Sequence, residues 1–184
     1  MKKLIAVTNM TVDGFCDHTA IAPDEEIHQH YADLLRTAGT VLYGRITYQL
    51  MEYWRTVVEN PTGNQAMDNF AKIMDEVPKV VFSNTLKELT WKSARLADRG
   101  LKEEVLALKQ SSHDGAKDMM VGSPGLIVAT TALGLIDEYQ ICVHPVVVGN
   151  GLPLFKNIEE KVSLKLLSTK TFSSGAILLC YRRA

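Results

Sequence analysis

Apolar and polar positions alternate between two periods along the chain. Residues 4–7 form a short, almost fully apolar run, which predicts a buried strand of a sheet covered on both faces. Thr11-Val12-Asp13-Gly14-Phe15 follows as a turn, punctuated by Asp-Gly. Asp24 is placed to cap a helix running to Thr37, with Glu25 and Glu26 in the first turn, where the helix dipole favours acids. Ile27, Tyr31, Leu34 and Leu35 give this helix one apolar face, and Gly39 lies at its end.

The same alternation continues. Val41-Leu42-Tyr43 reads as a second strand, and Gly44 opens a helix carrying Leu50, Met51 and Trp54. Residues 66–74 read as a helix, Pro78 introduces a strand over Lys79–Phe82, and Ser83-Asn84-Thr85 stops it. Residues 91–96 predict a short strand, residues 101–109 a helix with a charged outer face, and residues 111–115 a loop. Residues 118–121 are an apolar run that passes through Gly122-Ser123-Pro124-Gly125 into a helix ending at Leu133, with Gly134 as its stop. The β-branched run 139–148 predicts a further strand, ending in Gly149-Asn150-Gly151. Residues 162–166 alternate with period two, and residues 176–181 return after a turn, which predicts a half-exposed antiparallel hairpin at a sheet edge. Strands alternating with helices through residue 148 predict an α/β fold, with helices on both faces of a mostly parallel sheet.

Length and charge narrow the function. At 184 residues the chain is expected to form one domain, 1–184, with a single core. A formal net charge of −1 provides no basic excess to attract nucleic acid or anionic lipid, so a phosphate ligand must be held locally. Three cysteines, Cys16, Cys142 and Cys180, suit reduced thiols in a cytoplasmic protein. The apolar run at 4–7 is too short for a signal peptide, and no segment is long enough to span a membrane.

Three strand ends carry groups suited to a nucleotide: Gly44-Arg45-Ile46-Thr47, Ser83-Asn84-Thr85, and Gly122-Ser123-Pro124-Gly125. Ser123 is placed to cap the last helix, and Pro124 suits a first turn where its missing N–H costs nothing. The remaining N–H groups of that turn, with the positive end of the dipole behind them, suit a phosphate. Gly122 and Gly125 keep side chains out of its way. Arg45 adds a charge-assisted donor, and the Ser83 and Thr85 hydroxyls suit a ribose or its phosphate. Taken singly, each group reads as a helix cap or a surface charge. Together, on neighbouring parallel strands, they predict a nucleotide site at the carboxyl edge of the sheet. The spacing is not G-x-G-x-x-G, so it predicts no Rossmann dinucleotide site. Cys16-Asp17-His18 offers adjacent groups that do not converge on an ion, and no metal site is expected. His28 and His30 are expected on different sides of their helix, and His144 is expected to be satisfied by backbone.

The ordered set of motifs resembles the dihydrofolate reductase-like superfamily, in particular its bacterial branch that includes the reductase domain of riboflavin biosynthesis. The motifs are Thr11-Val12-Asp13-Gly14, Leu42-Tyr43-Gly44-Arg45-Ile46-Thr47-Tyr48, Lys79-Val80-Val81-Phe82-Ser83-Asn84-Thr85-Leu86 and Val121-Gly122-Ser123-Pro124-Gly125-Leu126. They are followed by Leu135-Ile136-Asp137-Glu138 and by His144-Pro145-Val146-Val147-Val148-Gly149-Asn150-Gly151-Leu152-Pro153-Leu154-Phe155. The resemblance implies a three-layer α/β/α sandwich with a mostly parallel mixed sheet, a C-terminal antiparallel hairpin and an NADPH site. It implies that Gly44, Arg45, Ile46 and Thr47 meet cofactor phosphates, with the arginine at the adenosine end. Ser83, Asn84 and Thr85 would lie by the adenosine ribose, and Gly122, Ser123, Pro124, Gly125 and Leu126 around the pyrophosphate. Asp13 would lie beside the nicotinamide and a small-molecule substrate, and is the candidate catalytic residue.

The implied activity is NADPH-dependent reduction of a pterin- or pyrimidine-like heterocycle, like that of dihydrofolate reductase or 5-amino-6-(5-phosphoribosylamino)uracil reductase. Phe15-Cys16-Asp17-His18-Thr19 lacks the tryptophan of true dihydrofolate reductases, and Thr11 replaces the branch's usual serine, so the resemblance names neither folate as substrate nor a proton donor. The alternatives are a nucleotide-binding protein without turnover and a structural homo-oligomer. A homodimer is expected by family analogy alone.

Overall fold

A computed structural model of the protein describes residues 1–111 and 117–184. The loop expected at 111–115 lies almost wholly outside the described residues.

The core is an eight-stranded sheet of order β4-β3-β2-β5-β1-β6-β8-β7. Its strands are β1 (Leu4–Thr11), β2 (Thr40–Gly44), β3 (Lys79–Phe82), β4 (Ala94–Leu96), β5 (Met119–Val121), β6 (Glu138–His144), β7 (Leu164–Thr171) and β8 (Ile177–Arg183). The six strands from β4 to β6 pair in parallel. β8 runs antiparallel to both β6 and β7. The helices are α1 (Glu25–Thr37), α2 (Arg45–Met51), α3 (Tyr53–Glu59), α4 (Gln65–Glu76), α5 (Leu101–Gln110) and α6 (Pro124–Ala132).

The pleat sorts the apolar residues into two cores. Leu4, Ala6, Leu42, Val80, Met119 and Val121 face one side, where Val105 of α5 and Ile127 of α6 cover them. Val41, Tyr43, Val81 and Met120 face the other, where Leu35 of α1 and Phe70 and Met74 of α4 meet them. The result is the three-layer α/β/α sandwich, with its mostly parallel sheet and C-terminal antiparallel pair. Asp24 caps α1 as expected, its carboxylate accepting the Ile27 N–H at 2.9 Å.

Four expectations need correction. The helix opened by Gly44 breaks at Glu52, so Trp54 belongs to a separate α3. The strand expected at 139–148 stops at His144, because Pro145 cannot donate to the ladder and the N–H groups of Val148 and Gly149 turn to the Asp13 carboxylate. The outer face of α5 is not uniformly solvated: Glu104 and Lys109 are buried in ion pairs with Arg95 and Asp137. The hairpin strand β7 is exposed along all eight residues rather than half-buried, because it stands at the edge of the sheet.

Candidate active site at the carboxyl edge of the sheet

The three strands that end in candidate groups, β3, β2 and β5, are consecutive neighbours in the sheet. Their carboxyl ends therefore open on one edge. β5 is the shortest part of this frame. Its last pairings are Val121 with Ala6 of β1 and with Leu42 of β2, whereas β1 runs on to Thr11 and β2 to Gly44. The Gly122-Ser123 turn continues between the two longer strands, where a Cβ on Gly122 would lie 3.5 Å from Tyr43 Cε1 and 3.8 Å from the Val7 carbonyl. The chain also changes direction there: β1 leads to β2 on one side, and β5 leads to β6 on the other.

Gly44 is the N-cap of α2 and supplies no capping side chain. Arg45, the first helical residue, is exposed and makes no hydrogen bond or ion pair among the described residues. A cation at a helix N-terminus adds to the positive end of the dipole, and an anion between them relieves that repulsion. Ile46 beside it is an apolar side chain left 66% exposed. Thr47 is half-buried. Tyr48 anchors the turn from below; its hydroxyl accepts the Thr90 N–H at 2.9 Å.

The junction of β5 with α6 differs in one respect from expectation. Ser123 is the N-cap residue with Pro124 behind it, but its hydroxyl makes no capping bond. Instead Ser123 Oγ accepts the backbone N–H of Gly44 at 2.8 Å. This bond ties the two βα junctions together across 79 residues of sequence. Ile127 N–H is satisfied by the Ser123 carbonyl, while the N–H groups of Gly125 and Leu126 have no partner among the described residues. A Cβ on Gly125 would meet nothing within 4 Å, so the space over that turn is open.

At the end of β3, Ser83 Oγ accepts the N–H groups of Thr85 and Leu86, at 3.2 and 3.0 Å. The hydroxyl thus shapes the turn, and Asn84 and Thr85 are the exposed members of the trio.

Asp13 lies at the turn after β1, where Gly14 takes a φ of +90 that only glycine adopts without strain. Its carboxylate accepts from the Thr11 hydroxyl at 2.6 Å and from the N–H groups of Val148 and Gly149 at 3.2 and 2.7 Å. These donors, the Thr11 hydroxyl first, hold its pKa below the usual 3.8. Asp13 is therefore an ionised clamp joining the β1 turn to the loop after β6, and its chemistry is that of an acceptor rather than a proton donor.

Three polar residues at the same edge escaped the sequence reading. His144 is not satisfied by backbone: its Nε2 lies 2.9 Å from Asn9 Oδ1. The Tyr31 hydroxyl donates to the same oxygen at 3.0 Å. The available signal was a lone asparagine in a strand otherwise made of apolar residues and threonines. His28 packs edge-on against Trp54 and Phe70, and burial holds its pKa below 6.5. Among the described residues no three His, Cys, Asp or Glu side chains cluster as metal ligands do, and no helix is long and apolar enough to cross a membrane. A separate cavity of about 260 Å³, lined by Thr131, Tyr139, Phe155, Ile158 and Leu164 among others, lies by the amino ends of β6 and β7, away from these junctions.

This architecture is a three-layer α/β/α fold with its open groups at the strand carboxyl ends. The chain belongs to the RibD C-terminal domain family, whose model matches residues 2–178. It is similar to the uncharacterized protein YyaP of Bacillus subtilis (strain 168), at 32% identity over 98% of this chain and 94% of the relative. Among solved structures, a pyrimidine reductase-like protein from Corynebacterium diphtheriae superposes with a TM-score of 0.67 at 11% identity, covering 100% of this chain and 92% of that one. Dihydrofolate reductase from Enterococcus faecalis, complexed with NADP(H), superposes with a TM-score of 0.60 at 16% identity, covering 98% of this chain and 96% of that one. At these identities the structural likenesses establish the fold.

Proposed function

We propose that this protein is an NADPH-dependent reductase acting on a small heterocycle of pterin or pyrimidine type. The observation that carries the reading is the Ser123–Gly44 hydrogen bond, which joins two helix N-termini, with Arg45, unpaired among the described residues, in the first turn of one of them. The residues present fit the coenzyme. The open space over Gly125 and the two unpartnered N–H groups of Gly125 and Leu126 suit its pyrophosphate. Gly122 and Ser123 shape that cradle from below, and Pro124 contributes no competing donor. Arg45 would hold a further phosphate, with Thr47 beside it and Ile46 as an apolar cover. Ser83, Asn84 and Thr85 would lie by the ribose.

When bound, NADPH supplies a hydride to the heterocycle. The protein's part is to align the two partners and keep the site ordered. In that task Asp13 fixes the loop after β6 through the Val148 and Gly149 N–H groups. A cytoplasmic location suits this chemistry and the free thiols. A homodimer is part of the same proposal, with the uncovered strand β7 as the surface offered to a second copy.

Coenzyme binding without turnover is the second reading. It is favoured by Asp13, whose carboxyl is engaged and lies below its ordinary pKa. A thermal shift with NADPH and a smaller one with NADH supports both readings. Oxidation of NADPH at 340 nm by a panel of pterins and pyrimidines supports the first; shift without oxidation supports the second. No shift with either nucleotide removes both.

A further inference from the structure

Asn9 stands on the part of β1 that outruns β5, two residues beyond the last residue to approach the Gly122 turn. There a Cβ built on Gly122 would lie 3.8 Å from the Val7 carbonyl. Residues Val7, Thr8, Asn9 and Met10 are all half-buried, unlike the sealed first half of the strand. On the adjacent strand Asn9 is level with Cys142, on the side covered by α1.

The Asn9 carboxamide is held in one orientation. Its Oδ1 accepts from the Tyr31 hydroxyl at 3.0 Å and stands 2.9 Å from His144 Nε2. An amide oxygen has two acceptor sites and cannot donate, so in this orientation His144 Nε2 is the donor of its contact and both sites are filled. Its Nδ2 carries two N–H donors and has no partner among the described residues. Nor is that nitrogen sealed from solvent: the buried unpartnered side-chain nitrogens among the described residues are His30 Nε2 and Trp91 Nε1. Two fixed donors thus keep contact with solvent on the part of β1 that runs past β5. His144 is only 6% exposed, and burial lowers its pKa against the opposing pull of Asp24, so the ring is neutral at pH 7.5. A neutral imidazole that donates from Nε2 must be the Nε2–H tautomer.

We infer that Asn9 is a specificity-determining residue: its amide, locked by Tyr31 and His144, presents N–H donors that select a ligand with an acceptor atom, such as a ring carbonyl oxygen, beside the coenzyme site. Its location at a substrate site rests on the reading above; its orientation does not.

The sharp variant is Asn9→Asp. Aspartate still accepts from Tyr31 and His144, so the fold keeps its bonds, but the outward donors become an acceptor. Asn9→Leu removes both functions and serves as the second variant. The ligand probe is uracil, added at millimolar concentration to NADPH-saturated protein.

Long-range ¹H–¹⁵N correlation spectra at pH 7.5 are expected to show His144 as the Nε2–H tautomer. Uracil is expected to shift the Asn9 side-chain amide pair. Both variants are expected to weaken uracil about tenfold, the size of one lost hydrogen bond at 1.4 kcal/mol, and to leave the NADPH Kd within about twofold. A His144 Nδ1–H tautomer would mean the amide is turned over, and overturns the inference. So does an unmoved Asn9 amide, or an Asn9→Asp protein that binds uracil as the native chain does. Loss of NADPH binding in the native protein sinks the coenzyme reading instead, and the tautomer result still reports on Asn9.

Discussion

The side chain of Ser123 and the backbone of Gly44 meet at 2.8 Å, and through that contact the ends of β5 and β2 are one structure. Ser123 is 4% exposed, so water is poorly placed to replace its oxygen. Ser123→Ala is expected to strand the Gly44 N–H and cost about 1–3 kcal/mol of stability. Urea denaturation measures the loss. NADPH affinity should fall with it, because both cradle turns move; a Ser123→Ala protein with native stability would remove the bridge from the account.

Gly125 offers the opposite test. A methyl there meets no atom, and the residue sits in the first turn of α6. Gly125→Ala is expected to be neutral or to stabilise by up to about 1 kcal/mol, from helix propensity. The same methyl fills the space proposed for a phosphate. Calorimetry should therefore find the variant as stable as the native protein and weaker for NADPH.

Arg45 is an exposed cation without a partner among the described residues, so its loss is expected to cost the fold little. Arg45→Ala is expected to weaken NADPH by about 1.5–3 kcal/mol, the range of a charge-assisted hydrogen bond, and NADH far less. Equal losses in titrations with both nucleotides would take Arg45 away from the 2′-phosphate.

Lys79 is 1% exposed, and its ammonium donates to the carbonyls of Met74 and Val77 at the end of α4 and to Ser93 Oγ, beneath the Trp91 ring at 4.4 Å. Lys79→Met keeps most of the stem but leaves those carbonyls without their donor. Since each buried unsatisfied group costs about 1–3 kcal/mol, a loss of at least about 2 kcal/mol is expected in thermal or urea unfolding. Nucleotide binding by the folded fraction should be unchanged.

Acid should loosen the molecule through Asp13 and Asp24. Both carboxyls have folded-state pKa values below 3.8, Asp13 chiefly through the Thr11 hydroxyl and Asp24 chiefly through the Ile27 N–H. A depressed carboxyl stabilises fully above its unfolded value and loses that stabilisation as pH falls through the folded one. Circular dichroism should therefore find unfolding setting in below pH 3.8, and Asp13→Asn should flatten that acid limb.

How much of this could be read from the residues follows from the range of each interaction. The strand at Lys79–Phe82 and the cap at Asp24 depend on neighbours in sequence, and both were legible. So were the three loop-forming strand ends, and their meeting on one edge needed only the assumption of parallel neighbours. What stayed hidden depends on distant partners. Ser123 looked like a cap because Gly44 is 79 residues away. His144 looked like a strand end because Asn9 lies 135 residues off. Glu104 and Lys109 looked solvated because Arg95 and Asp137 are assigned to them only by tertiary packing. Nothing in the alternation of residues 162–166 says that their strand will stand at the exposed edge of the sheet.

β5 contributes only three residues between a β1 of eight and a β2 of five. β1 runs five residues past Ala6, its last pairing with β5, about 16 Å at roughly 3.3 Å per residue, whereas β2 runs two past Leu42. That difference in reach is set by a residue count rather than by any reactive group. Inserting or deleting a residue after Val121 would carry Ser123 away from Gly44, so the length of this one short strand and the joining of the two turns are a single constraint.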